Sequence, residues 1–92
     1  MSFYLKDPRS RVDYAIDWLG YLDGQAVAAS EWTVTPDEPG GIAVEAASFD
    51  LARTAARLGG GLAGHIYSVS NLVTLTDGSR DERSICLRVE PR

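Results

Sequence analysis

The 92 residues contain a single cysteine, Cys86, and a single histidine, His65. One thiol excludes an internal disulfide and any metal site built on two or more thiolates, so the core has to hold by packing and hydrogen bonding alone. No stretch approaches the ~18 consecutive apolar residues that a membrane-crossing helix requires. The opening run Met1-Ser2-Phe3-Tyr4-Leu5-Lys6-Asp7-Pro8 lacks the basic start and continuous apolar segment of a secretory leader, and no export signal is expected from it. Basic residues are also scarce: nine Lys and Arg stand against thirteen Asp and Glu, for a net charge of -4. Residues 1–46 carry three basic and eight acidic side chains, and residues 47–92 carry six arginines and five acids. No basic footprint exists to neutralise phosphates, which argues against nucleic acid as a partner.

What is present is an ordinary globular balance, 45% hydrophobic and 24% charged, of a size that fits one domain over residues 1–92. Residues 1–9 read as an amino-terminal arm or edge segment. Val12, Tyr14, Ile16 and Trp18 alternate as one face of a strand, although Val12, Ala15, Ile16, Leu19 and Leu22 also fit a helical face. The strand takes the bulkier side chains, and it is expected to end at the Leu22-Asp23-Gly24-Gln25 turn. In the next strand, Ala26 to Val34, the inward parity changes near Ser30-Glu31, which calls for a bulge or a change of sheet. Thr35-Pro36-Asp37-Glu38 resembles a helix cap, but Pro39-Gly40-Gly41 follows and makes it a loop. Ile42, Val44 and Ala46 open a third strand.

Residues 47–58 admit two readings. Leu51, Ala55 and Leu58 share a helical face ahead of Gly59; alternatively Asp50 to Arg53 turn and Thr54 to Leu58 form a short strand with Ala56 and Leu58 inward. Beyond the glycines the alternation of Tyr67, Val69, Asn71, Val73 and Leu75 is the clearest strand in the chain. A Thr76-Asp77-Gly78-Ser79 hairpin then leads into Ile85, Leu87 and Val89. Six or seven short strands separated by turns indicate an all-β antiparallel sandwich of immunoglobulin or fibronectin-III type. The expected core is Tyr14, Ile16, Trp18, Trp32, Val34, Val44, Leu58, Tyr67, Val69, Ile85, Leu87 and Val89, with Tyr67 as a tyrosine corner whose phenol bonds nearby backbone.

Candidate chemistry is thin. Gly59, Gly61 and Gly64 spell G-x-G-x-x-G, but strand-like His65-Ile66-Tyr67 follows where a phosphate site needs a helix. Asp13 and Asp17 on a strand stand roughly 13 Å apart, too far to share an ion, and with Asp23 they read as solvated carboxylates. A Cys-His or Ser-His-Asp arrangement would need both Cys86 and His65, and Cys86 reads as a small buried hydrophobe inside a strand. No catalytic, cofactor-binding or metal site is expected. Phe3-Tyr4-Leu5, Tyr21 and Leu22 lie near ends and turns, as a contact patch or as caps on the core. Arg80, Arg83, Arg88 and Arg92 interleave with Asp81, Glu82 and Glu90 as a mixed-charge strand edge.

Asp7-Pro8, Asp13-Tyr14-Ala15-Ile16-Asp17-Trp18, Ser30-Glu31-Trp32-Thr33-Val34, Gly59-Gly60, Gly64-His65-Ile66-Tyr67-Ser68-Val69-Ser70-Asn71, Asp77-Gly78 and Arg83-Ser84-Ile85 occur in this order. Together they resemble the small tailed-phage and prophage structural proteins described as fibre-tail adaptors, over about Asp7 to Arg92. The resemblance implies a non-enzymatic virion component with an immunoglobulin-like sandwich, assembled in the bacterial cytoplasm into the tail or its junction with the fibres. It implies tail, connector or fibre proteins as partners in a symmetric, multi-copy assembly, and no cofactor, nucleic acid or membrane. The alanine- and arginine-rich stretch Ala46 to Arg57 departs from the β-branched composition such strands would have. A stand-alone binding domain for carbohydrate or peptide is the alternative reading.

Overall fold

The computed structural model describes residues 2–91, with side chains from Tyr4 onward. Seven strands follow the turn signals: β1 (Ser2–Lys6), β2 (Val12–Asp17), β3 (Val27–Thr35), β4 (Ile42–Phe49), β5 (Arg53–Gly60), β6 (Ile66–Leu75) and β7 (Arg80–Val89). They form two sheets, ordered β1-β7-β6-β3 and β2-β5-β4. The sandwich architecture is as expected, with one departure from antiparallel pairing: β1 runs parallel to β7, from Ser2 opposite Ile85 to Lys6 opposite Val89.

The ambiguous stretch resolves as a turn followed by a strand. Asp50 accepts from the backbone N–H groups of Ala52 and Arg53 at 3.0 and 2.8 Å, closing a tight reversal, and β5 then pairs with β2 on one side and β4 on the other. A central strand satisfies its backbone on both edges, so alanine-rich sequence is tolerated despite its helix propensity.

Two local expectations are corrected. The extended part of β2 ends at Asp17, not at Leu22: the chain winds through a single 3-10 turn, Leu19–Tyr21, because β2 and β3 belong to different sheets and the link crosses between them. The Asp23-Gly24 reversal does form, both residues having positive φ (48° and 81°). The bulge of β3 lies between Val27 and Ala29 rather than at Ser30-Glu31. Val27 is thus buried on one parity, and Trp32 and Val34 face inward on the other.

The core consists of two clusters. One gathers Ile42, Ala56, Leu58, Tyr67, Val69, Leu87 and Val89, flanked by half-buried Tyr14, Trp32, Val34, Val44 and Ile85; the other gathers Trp18, Leu22, Val27, Val73 and Leu75, flanked by Ile16. Every expected core residue lies in or against one of these clusters. Leu22, named as a contact-patch candidate, is buried in the second cluster.

Polar side chains also stitch the interior. The Trp18 indole N–H donates to Thr54 Oγ1 at 3.0 Å, the Thr54 hydroxyl donates to Asn71 Oδ1 at 2.7 Å, and Asn71 Nδ2 donates to Ser30 Oγ and the Glu31 carbonyl. This chain of bonds joins the two sheets, and each buried polar group in it meets the need for a partner that desolvation imposes. Lys6, 1% exposed, donates its three ammonium protons to the carbonyls of Gly60 (2.6 Å), Ser10 (2.7 Å) and Asp7 (3.0 Å). Burial lowers the Lys6 pKa, against the pull of Asp7 and Glu45.

Candidate protein interface

Gly40, Gly41 and Gly59 to Gly64 meet the end of β7 at one end of the sandwich. Gly61 has a φ of 109°, and a Cβ there would stand 2.7 Å from Val89 Cγ2; a Cβ on Gly60 would stand 2.7 Å from the Gly41 carbonyl. These glycines serve close backbone packing between β4, β5 and β7. The strand β6 begins at Ile66 where a phosphate site would need a helix, so the glycine pattern is a turn between strands.

Tyr67 sits beside that turn as a tyrosine corner. Its hydroxyl accepts from the Leu62 N–H at 3.1 Å and donates to Glu38 Oε1 at 2.6 Å. His65 Nδ1 reaches the same carboxylate oxygen at 2.8 Å and its ring stacks beside Tyr67. The Tyr67 hydrogen bond first, then His65, holds the Glu38 carboxyl below the ordinary carboxylate range; burial first, then Glu38, pushes the Tyr67 phenol up. The lone histidine thus joins a structural corner. Cys86 stands opposite Ser68 of β6, three residues beyond His65, and is half-buried rather than deeply buried.

The three aspartates do not converge. Asp13 pairs across strands with Arg57 at 2.9 Å, a bond that lowers the Asp13 pKa. Asp17 caps the Leu19 N–H at 3.0 Å, and Asp23 is exposed in its turn. Among the described residues, no group of three or more His, Cys, Asp or Glu side chains is placed to hold a metal ion.

The feature that does gather aromatic side chains is a seam between the sheets. The edge strand β2 faces the edge of the other sheet where β1 lies, and the rings of Tyr4 and Tyr14 close the seam edge to face, centroids 5.3 Å apart. Beside them opens a cleft of 480 Å³ lined by Tyr4, Tyr14, Ile16, Trp32, Arg83 and Ile85. Trp32 reaches it from β3, and its indole N–H is buried with no hydrogen-bond partner among the described residues. Arg83 at the rim lies 5.3 Å from the ring centroid of exposed Tyr21, a cation–π contact that holds the guanidinium over the end of the seam.

The sequence-derived patch is therefore partly assembled. Tyr4, Leu5 and Tyr21 are exposed, and Tyr4 enters the cleft, whereas the Phe3 side chain and Arg92 lie outside the described residues. The expectation that β7 is a mixed-charge edge holds for only half its length: β1 covers Ile85–Val89, so Arg88 flanks a paired strand, where it bridges Glu90 at 2.7 Å. Sequence reasoning assigned Tyr14, Ile16, Trp32 and Ile85 to the core and missed their shared opening. Aromatic residues on three non-adjacent strands were the available signal.

The fold is shared with a solved structure described as the solution structure of the PKD domain from KIAA 1837 protein, at a TM-score of 0.53 and 17% identity, over 87% of this chain and 72% of that one. No curated protein sequence matches. The model of the family described as podophage GP4 fiber-tail adaptor protein gp77 matches residues 6–88, and the chain belongs to that family.

Proposed function

We propose that the chain is a non-enzymatic docking module of a phage or prophage virion, present in several copies in the tail or where fibres join it. The family match over residues 6–88 carries this reading. The aromatic seam supports it, because a cleft bordered by strand edges is built for a neighbour's chain rather than for bond-making chemistry. Its partners are other tail, connector or fibre proteins rather than nucleic acid or a membrane, and assembly takes place in the host cytoplasm.

Mass spectrometry of purified particles, with and without the gene for this chain, tests the reading. The expected result is the chain in intact virions and fibre-deficient particles when it is deleted; its absence from mature particles overturns the proposal. A stand-alone carbohydrate- or peptide-binding domain would instead leave particle composition unchanged.

A further inference from the structure

The exposed half of β7 borders the cleft, which Arg83 and Ser84 help to line. Val89 N–H donates to the His65 carbonyl just ahead of β6, whereas Glu90 N–H donates to the Lys6 carbonyl on the β1 side. In an extended strand this alternation continues, so the backbone groups of Ser84, Glu82 and Arg80 face the side that β1 occupies lower down. Among the described residues β1 begins at Ser2 opposite Ile85, and that side of Arg80–Ser84 has no strand. Asp81 Oδ1 accepts the Glu82 N–H at 2.8 Å, a side-chain cover over one edge donor. The remaining edge groups lie next to a cleft that holds Trp32 with its orphan indole N–H.

A buried donor without a partner is costly, and such a group in a native protein calls for an acceptor. The acceptor has to enter from the seam. Arg83 brings a positive charge to the rim, and the one carboxylate lining the cleft among the described residues, Asp17, already serves the Leu19 N–H. The geometry points to an extended segment of a partner protein that adds a strand to the Arg80–Ser84 edge and seats an acidic side chain in the cleft, its carboxylate accepting from Trp32 Nε1 beside Arg83. This deepens the proposed docking function, on which it rests, by naming the site and the chemistry of its occupant. Strand addition supplies affinity through backbone bonds, and the cleft selects the side chain.

The test uses the isolated full chain, labelled with ¹⁵N, and three blocked hexapeptides of alternating Val and Thr carrying one central Asp, Asn or Lys. The Asp peptide is expected to shift the Trp32 indole and Ser84 amide resonances together, and the Lys peptide to bind at least tenfold more weakly. Trp32→Phe, which keeps a ring but removes the N–H, and Ser84→Pro, which removes one edge donor, should each weaken binding about tenfold, with Ser84→Ala as the control that keeps it. An Asp peptide that leaves both resonances unmoved, binds no better than the Lys peptide, or binds both variants as it binds the parent overturns the proposal. So does a response of Trp32 to maltotetraose with all peptides silent, which would make the cleft a carbohydrate site. Because these measurements need no virion, their failure is separable from a failure to find the chain in particles.

Discussion

The hydroxyl of Thr54, on the central strand β5, lies 2.7 Å from Asn71 Oδ1 on β6, so a single hydrogen bond spans the two sheets at the centre of the molecule. Both side chains are fully buried, and the same threonine oxygen accepts the Trp18 indole N–H.

Thr54→Val keeps the shape of the side chain but removes the two shorter bonds at this node, leaving the buried Trp18 indole N–H and Asn71 Oδ1 only their long mutual bond of 3.3 Å. Urea denaturation is expected to show a loss of about 1–3 kcal/mol, with little change in slope. A variant as stable as the parent would show that the polar bridge contributes nothing beyond packing.

The corner at Tyr67 predicts a signed pH dependence. Glu38 has a folded pKa below its unfolded one, so its contribution to stability is complete above the ordinary carboxylate range and is lost as pH falls through the lower folded value. Glu38→Gln should be less stable than the parent at neutral pH and show a shallower loss of stability on acidification. Thermal unfolding followed across that acid window checks both the sign and the convergence of the two proteins at low pH.

Two glycines separate steric crowding from backbone conformation. Gly61 and Gly64 both have positive φ, but a Cβ on Gly61 runs into Val89 and one on Gly64 meets nothing within 4 Å. Gly64→Ala should cost about 1–2 kcal/mol, the penalty of the left-handed region alone. Gly61→Ala should cost about 1–3 kcal/mol more, for overpacking. Equal losses in chemical denaturation would show that Val89 gives way freely.

The alternation of Tyr67 through Leu75 made β6 legible because one face of that strand is buried along its whole length. The same logic located β7 and most of the core. It could not decide β5, where Ala55, Ala56 and two glycines carry little of the bulk that reveals a pleat, and where extended structure is held by neighbours on both edges. The parallel docking of β1 on β7 joins residues more than 80 positions apart with no turn to announce it. The burial of Lys6 leaves no mark in the sequence, because the three carbonyls that satisfy it come together only once the strands are in place. The interface was half legible for a related reason: Tyr4 and Tyr21 stood out as unburied aromatics, while Trp32 was counted as core and only the fold leaves its N–H facing no acceptor.

Since β1 and β7 point the same way, tension applied between Ser2 and Val89 runs along both strands in opposite senses. Their hydrogen bonds are then sheared as a set rather than peeled one after another, and the Lys6 ammonium pins the end that would slide. Pulled by those two strands, the domain resists far better than its modest core alone would allow.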